Sequence, residues 1–403
     1  MSFAQLWSEL LPLGRHARTG GYRRYSWTPV DTGCRDWFVD AARALDLRVE
    51  TDGNGNLWAW WGEPGPGAVV TGSHLDSVPD GGAFDGPLGV VSALAAVARM
   101  RRFGVVPGRP LAVVVFVEEE GARFGVPCLG SRLLTGAIPT ERALALRDRD
   151  GISWERAMAE RGLDPAAAGP DPLRLGWIYT FVELHVEQGR ALVDLEAPVG
   201  VASSIWPHGR WRLDFTGAAN HAGTTAFDDR RDPMLTFATT VLAARKKARQ
   251  AGALATVGRV EVEPNGTNAI PSAVRAWLDA RAPDESTLDS AVAAILAAAS
   301  ERADRDATGF QATRESYSPA VDFGLALRDR LAGTLGGVPV LATGAGHDAG
   351  VLATEVNTAM LFVRNPTGVS HAPGEHSEPD DCEAGVEALA TVLTDLVTKT
   401  STE

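Results

Sequence analysis

Cysteine is nearly absent from this chain of 403 residues. The three that occur, Cys34, Cys128 and Cys382, are far apart and form no C-x-x-C pair. That excludes a disulfide framework and a thiolate zinc site. Long apolar runs are missing too: the longest, Leu88–Met100, is too short to span a bilayer. The N-terminus, Met1-Ser2-Phe3-Ala4-Gln5-Leu6, has no basic stretch leading into an apolar core, so no signal peptide is expected and the cytoplasm is the expected compartment. Positive charge is also in deficit, with 38 basic against 51 acidic residues and a net charge of −13. Such a balance argues against a nucleic-acid surface and against anionic membranes as partners.

What remains is an ordinary globular composition, 45% hydrophobic and 22% charged, in a chain long enough for two domains. Strand-like runs alternate with helix-like ones. Ala68–Thr71, Leu111–Val117, Ile178–Leu184 and Ala359–Val363 read as buried strands, and Leu88–Val97 as a buried helix with Pro87 in its first turn. Each strand runs into a loop carrying a polar residue able to bind metal: His74, Glu118-Glu119-Glu120, His185 and His371. In open α/β sheets, ligands bind beyond the carboxyl ends of the strands. The middle third differs. Arg210–Phe215, Val257–Val262 and Ala273–Asp279 read as strands, Met234–Gln250 and Ser290–Ala299 as helices. This texture predicts a ferredoxin-like α+β insertion at 203–318, inside an α/β domain made of 1–202 and 319–403.

His74 and Asp76 form an H-x-D pair, and a metal-bound imidazole commonly gives its other N–H to a carboxylate or carbonyl. Asp85 lies in a Phe-Asp-Gly turn before a helix, where a helix N-cap and a carboxylate shared by two ions are equally open readings. Three glutamates at the end of a buried strand are costly unless ions or protons compensate them. Side chains alternate along a strand, so the three cannot share one job; one suits a metal and a neighbour suits a general base. Imidazole and carboxylate donors without thiolate favour zinc, with manganese, nickel or cobalt as further options. Gly344-Ala345-Gly346 lacks the spacing of a nucleotide-binding loop.

These motifs resemble the M20 family of di-metal amidohydrolases and peptidases. Within it they resemble the hydantoinase/carbamoylase branch, which includes allantoate amidohydrolases, N-carbamoyl-L-amino acid hydrolases and β-ureidopropionases. The resemblance rests on Gly72–Ser77, Gly81–Gly86, Glu119–Phe124, Glu183–Gly189, Asn220–Thr225, Asn268–Pro271, Asp279–Arg281, Gly344–Ala349 and Gly368–His371, in that order. It implies a mixed-sheet catalytic domain with an inserted ferredoxin-like dimerisation (lid) domain. It implies two divalent ions, zinc or manganese first, one held by His74, Asp85 and His185 and the other by Asp85, Glu120 and His371. Glu119 would be the general base, and Asp76 is the expected supporting catalytic residue, taking the free N–H of a metal-bound His74. His221 would act from the partner subunit of a homodimer on the developing oxyanion. Gln188, Asn268, Arg281, Gly346 and His347 would contact substrate, Arg281 through its carboxylate. Arg364 departs from the branch's pattern at the last strand end. It reads either as a loop arginine paired with a carboxylate or as a grip on a second substrate carboxylate. The expected activity is hydrolysis of a linear amide or ureido C–N bond in a small carboxylate-bearing molecule. Allantoate ranks first, N-carbamoyl- or N-formyl-amino acids next, and peptides third. The alternative from another class is a relative that binds ligand without turnover.

Overall fold

The computed structural model describes residues 1–398. The chain divides into two compact units, one formed by Met1–Ser203 and the chain from Phe323 onward, the other by Ser204–Asp322. The insertion is expected at 203–318; by contacts the second unit runs to Asp322, and Val321 and Asp322 pair antiparallel with Ile205 and Ser204. The last residues of the expected 319–403 segment, 399–403, lie outside the described residues.

In chain order the strands are β1 (Arg48–Thr51), β2 (Leu57–Trp61), β3 (Ala68–His74), β4 (Leu111–Phe116), β5 (Ile178–Val186) and β6 (Val199–Ile205). Next come β7 (His208–Thr216), β8 (Asn220–His221), β9 (Leu254–Glu263), β10 (Ala269–Ile270), β11 (Ala273–Arg281), β12 (Gly309–Ser318) and β13 (Val321–Asp322). Last are β14 (Val340–Thr343) and β15 (Thr358–Val363). The first unit is built on a mixed sheet in the order β1-β2-β4-β3-β5-β15-β6, with β14 against β6. Its centre is parallel: β3 pairs with β4 and β5, and β5 with β15. The pairs β1–β2, β2–β4 and β15–β6 are antiparallel.

Every residue of β3, β4 and β15 is buried, as their β-branched and aromatic content requires of strands covered on both faces. The helix Pro87–Arg102 is buried from Pro87 to Val97 and ends on three arginines, which suit its C-terminal dipole. It packs against the C-terminal helix Pro379–Thr398. Val91 and Leu94 share one core with Val386, Leu389 and Leu393. Among the described residues no helix is long and apolar enough to cross a membrane.

The inserted unit is a four-stranded antiparallel sheet in the order β12-β7-β11-β9, with helices Pro233–Ala251 and Glu285–Asp306 joining its strands. That is the ferredoxin-like arrangement. Asp232 and Asp284 cap the two helices through their side chains. The alternating burial of β7 sends Trp211, Leu213 and Phe215 into a core with Ile295 and Leu278.

Candidate metal centre

The parallel register brings the strand ends level. His74 stands opposite Phe116 at the end of β4, and His185 opposite Phe362 in β15. The His74 ring is 1% exposed; its Nδ1 lies 3.1 Å from the Asp76 carbonyl and 3.5 Å from Asp76 Oδ1. A proton on Nδ1 satisfies those oxygens and leaves the Nε2 lone pair facing Asp85 Oδ1, at 3.6 Å. His185 is set the same way, with Nδ1 2.9 Å from the Val186 carbonyl and Nε2 3.2 Å from Asp85 Oδ1.

Asp85 is not a helix N-cap. Gly86 occupies that position without any side-chain cap, and the Asp85 carboxylate turns to the histidines instead. Gly86 is required here: its φ is +84°, and a Cβ would come within 2.4 Å of the His74 ring. While Asp85 Oδ1 faces His74 and His185, Oδ2 faces His371 Nε2 at 3.4 Å. His371 Nε2 lies 3.5 Å from Glu120 Oε2. Among the described residues three groups of donor atoms result, each with its atoms within 4.8 Å of one another: His74, Asp85 and His185; Asp85, Glu120 and His371; and Glu183, His185 and His347, which shares His185 with the first. Burial pushes Asp85 up, but the facing imidazoles of His185, His371 and His74 outweigh it and hold the carboxyl well below its usual range.

The three glutamates divide their work. Glu118 has a left-handed φ of +55°, and its Oε1 turns back to accept the N–H groups of Arg123 and Phe124 at 2.9 and 2.7 Å. It fastens a loop. Glu119 is buried, with Oε2 3.6 Å from His74 Nε2 and Oε1 accepting the Cys128 thiol at 3.3 Å. Burial holds its carboxyl well above the ordinary range, opposed by His74 and reinforced by Asp348 and Glu120. Burial also raises Glu118 to about 8 and Glu120 to about 7, with Asp76 and Asp85 adding to it respectively. Asp76 does more than face His74. Its two oxygens accept the backbone N–H groups of Glu119 and Glu120 at 3.1 and 3.0 Å, which sets the position of both.

The sequence profile of peptidase family M20/M25/M40 matches residues 70–395. The chain belongs to this family. It is 37% identical over 394 residues, 96% of each chain, to an N-carbamoyl-L-amino acid amidohydrolase of Geobacillus stearothermophilus. It is 32% identical to an allantoate amidohydrolase of Bacillus subtilis, over 81% of this chain and 80% of that one. A crystal structure of a hydantoinase/carbamoylase-family amidase from Burkholderia vietnamiensis superposes with a TM-score of 0.89 at 29% identity, covering 99% of this chain and 98% of that one.

The donor chemistry of this M20 chain fits the two divalent ions that the family implies. Buried carboxylates and imidazoles converge with no thiolate among the grouped donors, a set suited to zinc or manganese. So much acidic oxygen in one buried place needs cations beside it. Of the other expected residues, Gln188 lies at the same centre, donating to Asp85 Oδ2 at 2.8 Å. His347, which follows Gly346, is buried with its ring 4.4 Å from that of His185, and its Nε2 has no partner. Burial and then His185 hold it well below the usual imidazole range, so it is neutral. Arg364 is not brought to the centre: its guanidinium forks onto Asp381 at 2.9 and 2.7 Å. That carboxylate, 2% exposed at the start of the last helix, takes up the charge a substrate would need.

His221, Asn268 and Arg281 belong to the inserted unit. There β8 pairs with β10, so His221 stands opposite Ala269, and Asn268 accepts the Ala222 N–H at 2.9 Å. Arg281 ends β11 and forks onto Asp279 at 2.8 and 3.2 Å. Three residues at the centre escape the sequence reading: Ser370, Cys128 and Glu375. Ser370 Oγ lies 3.1 Å from Asp85 Oδ2, and Glu375 accepts two backbone N–H groups of the Asp85 turn. The one available signal for Glu375 is an acid in the same loop as His371.

Proposed function

We propose that this M20 chain hydrolyses the ureido C–N bond of an N-carbamoyl-L-amino acid, using two divalent ions held by His74, Asp85 and His185 and by Asp85, Glu120 and His371. The observation that carries it is Asp85, whose two oxygens face separate histidine groups while Glu119 stands beside them. Allantoate, first from the motifs, moves to second. The N-carbamoyl-L-amino acid enzyme matches at higher identity and over nearly the whole of both chains, whereas the allantoate enzyme matches about four-fifths. Both substrates share a ureido group and a carboxylate.

Such ions, zinc or manganese by donor type, supply Lewis acidity toward a carbonyl and lower the pKa of water. The chain supplies the rest. Glu119, fixed by Asp76 through its backbone, takes a proton from the attacking water and returns it to the leaving nitrogen. Water adds across R–NH–CO–NH2, giving the amine and carbamate, which decomposes to carbon dioxide and ammonia. Gln188 orients substrate beside Asp85. Arg281 takes the substrate carboxylate by turning its planar fork away from Asp279, a partner less buried than the Asp381 that holds Arg364, and Asn268 and the Gly346-His347 loop complete the contacts. His221 stabilises the oxyanion from the lid of a partner subunit in a homodimer. The compartment is the cytoplasm, where the buried thiols Cys34, Cys128 and Cys382 stay reduced.

The test is a panel assay on protein reconstituted with zinc, manganese, cobalt or nickel. It offers N-carbamoyl- and N-formyl-amino acids, allantoate and a dipeptide, and scores ammonia together with the organic product. Release of free amino acid from N-carbamoyl-L-amino acids, well above turnover of allantoate, is expected. Preference for allantoate would reverse the ranking, and no turnover on any substrate with two ions bound would favour a ligand-binding relative.

A further inference from the structure

The turn that carries Asp85 is held from the far end of the chain. Glu375 Oε1 accepts the backbone N–H groups of both Phe84 and Asp85, each at 2.8 Å, across 291 and 290 positions of sequence. Its side chain is buried, at 4% exposure. The Ser370 hydroxyl lies between Glu375 Oε2 at 3.3 Å and Asp85 Oδ2 at 3.1 Å, so its single proton serves one or the other. Gln188 Nε2 reaches both Asp85 Oδ2 and that hydroxyl, at 2.8 and 3.3 Å. Glu375 N closes the loop on the Ala372 carbonyl at 3.1 Å. From the other side Gly82 leaves room for the carboxylate: a Cβ there would stand 2.3 Å from Glu375 Cβ and 2.4 Å from Oε1.

One residue therefore clasps the two segments that bring Asp85 and His371 together. Without its carboxylate two buried N–H groups lose their acceptor, and the Asp85 turn keeps to the His371 loop the Ser370 hydroxyl, the facing His371 ring and the Phe84–His376 ring contact, none of which holds its backbone. The first donor group keeps His74 and His185, each fixed by its own carbonyl. The second depends on the mutual placement of Asp85 and His371. We infer that Glu375 is a positioning residue that locks the His371 loop onto the Asp85 turn, and that the ion held with His371 depends on it far more than the ion held with His74 and His185. This rests on the two-ion reading given above.

The experiment measures ion stoichiometry and affinity on the full chain after chelation and dialysis, titrating zinc and manganese alone by calorimetry and counting bound ions by mass spectrometry. Wild type is expected to bind two ions. Glu375→Ala is expected to keep the first and bind the second about 10–100-fold more weakly, the range for loss of a ligand-orienting partner. Glu375→Gln keeps an oxygen for both N–H groups and is expected to recover most of that loss. Gly82→Ala leaves Glu375 in the sequence but displaces it, and is expected to behave like Glu375→Ala; it carries the test if the latter fails to fold. A wild type binding fewer than two ions overturns the two-ion reading, and this proposal with it. Wild type with two ions and a Glu375→Ala or Gly82→Ala protein that binds the second as tightly overturns the proposal alone. Equal loss in Glu375→Gln and Glu375→Ala overturns it as well, since the acceptor oxygen is then not what matters.

Discussion

Glu119 and Glu120 are neighbours in sequence to which the proposed function gives different tasks, and the difference is testable. Glu119 Oε2 faces His74, whereas Glu120 belongs to the donor group of His371. Glu119→Gln removes the basic oxygen while leaving both donor groups intact. It is expected to lower kcat at least 100-fold with two ions still bound, since positioned acid–base groups contribute about 10²–10⁴. Loss of ions in parallel with activity would contradict the assignment. At this scale the sequence was legible where a residue type carries its chemistry: five histidine and carboxylate donors sit together as their motifs suggest. It was illegible where the role depends on a partner. Nothing in the sequence tells Arg364 from a substrate-binding arginine until Asp381 is seen against it. Glu375 is marked only as an acid in the loop of His371, and its task is hidden because the N–H groups it accepts lie about 290 positions away.

Among the elements, the central strands announce themselves and the edge of the sheet does not. Leu111–Phe116 is apolar throughout, so its burial follows from composition. The β1–β2 hairpin has a half-exposed strand and a tryptophan-rich one, and its geometry comes from a buried carboxylate instead. Asp52 accepts four hydrogen bonds, from the Asn54 and Asn56 backbones, Asn56 Nδ2 and Trp58 Nε1, all between 2.9 and 3.0 Å. Asp52→Ala strands all four donors in a buried place, and a loss of about 3 kcal/mol is expected. Urea denaturation reads it directly, with ion content unchanged because the hairpin contributes no donor to any of these groups. A change under 1 kcal/mol would mean that water replaces the carboxylate there. In the inserted unit the polar strand β12 is hard to read for a related reason: only its register against β7 makes Gly309–Ser318 a strand.

For the whole molecule the open question is how many chains make one site. The helix Pro233–Ala251 exposes Leu235 and Leu242, seven positions apart and hence on one face, and Leu254 is exposed at the start of the edge strand β9. Apolar side chains on such a helix and strand suit a second copy of the chain, in keeping with the proposed homodimer. If His221 serves the partner's site, His221→Ala and Glu119→Gln proteins, each impaired alone, should complement when mixed. Random exchange makes half of the dimers mixed, each with one complete site of two, so roughly a quarter of wild-type activity is expected. Verified subunit exchange without recovered activity would place the site within a single chain.

The place of β15 in the sheet also dictates an order of events at birth. Synthesised after everything else in the sheet, it nonetheless lies between β5 and β6, at the interior of the fold. The histidine that follows it completes the second donor group. An N-terminal fragment emerging from the ribosome therefore carries His74, Asp85 and Glu120 with an open seam where β15 belongs. The chain must hold β5 and β6 apart, or part them again, before it can close. On the two-ion proposal, ions arriving earlier would find half a cradle, and full loading would be an event of the finished chain and not of the growing one.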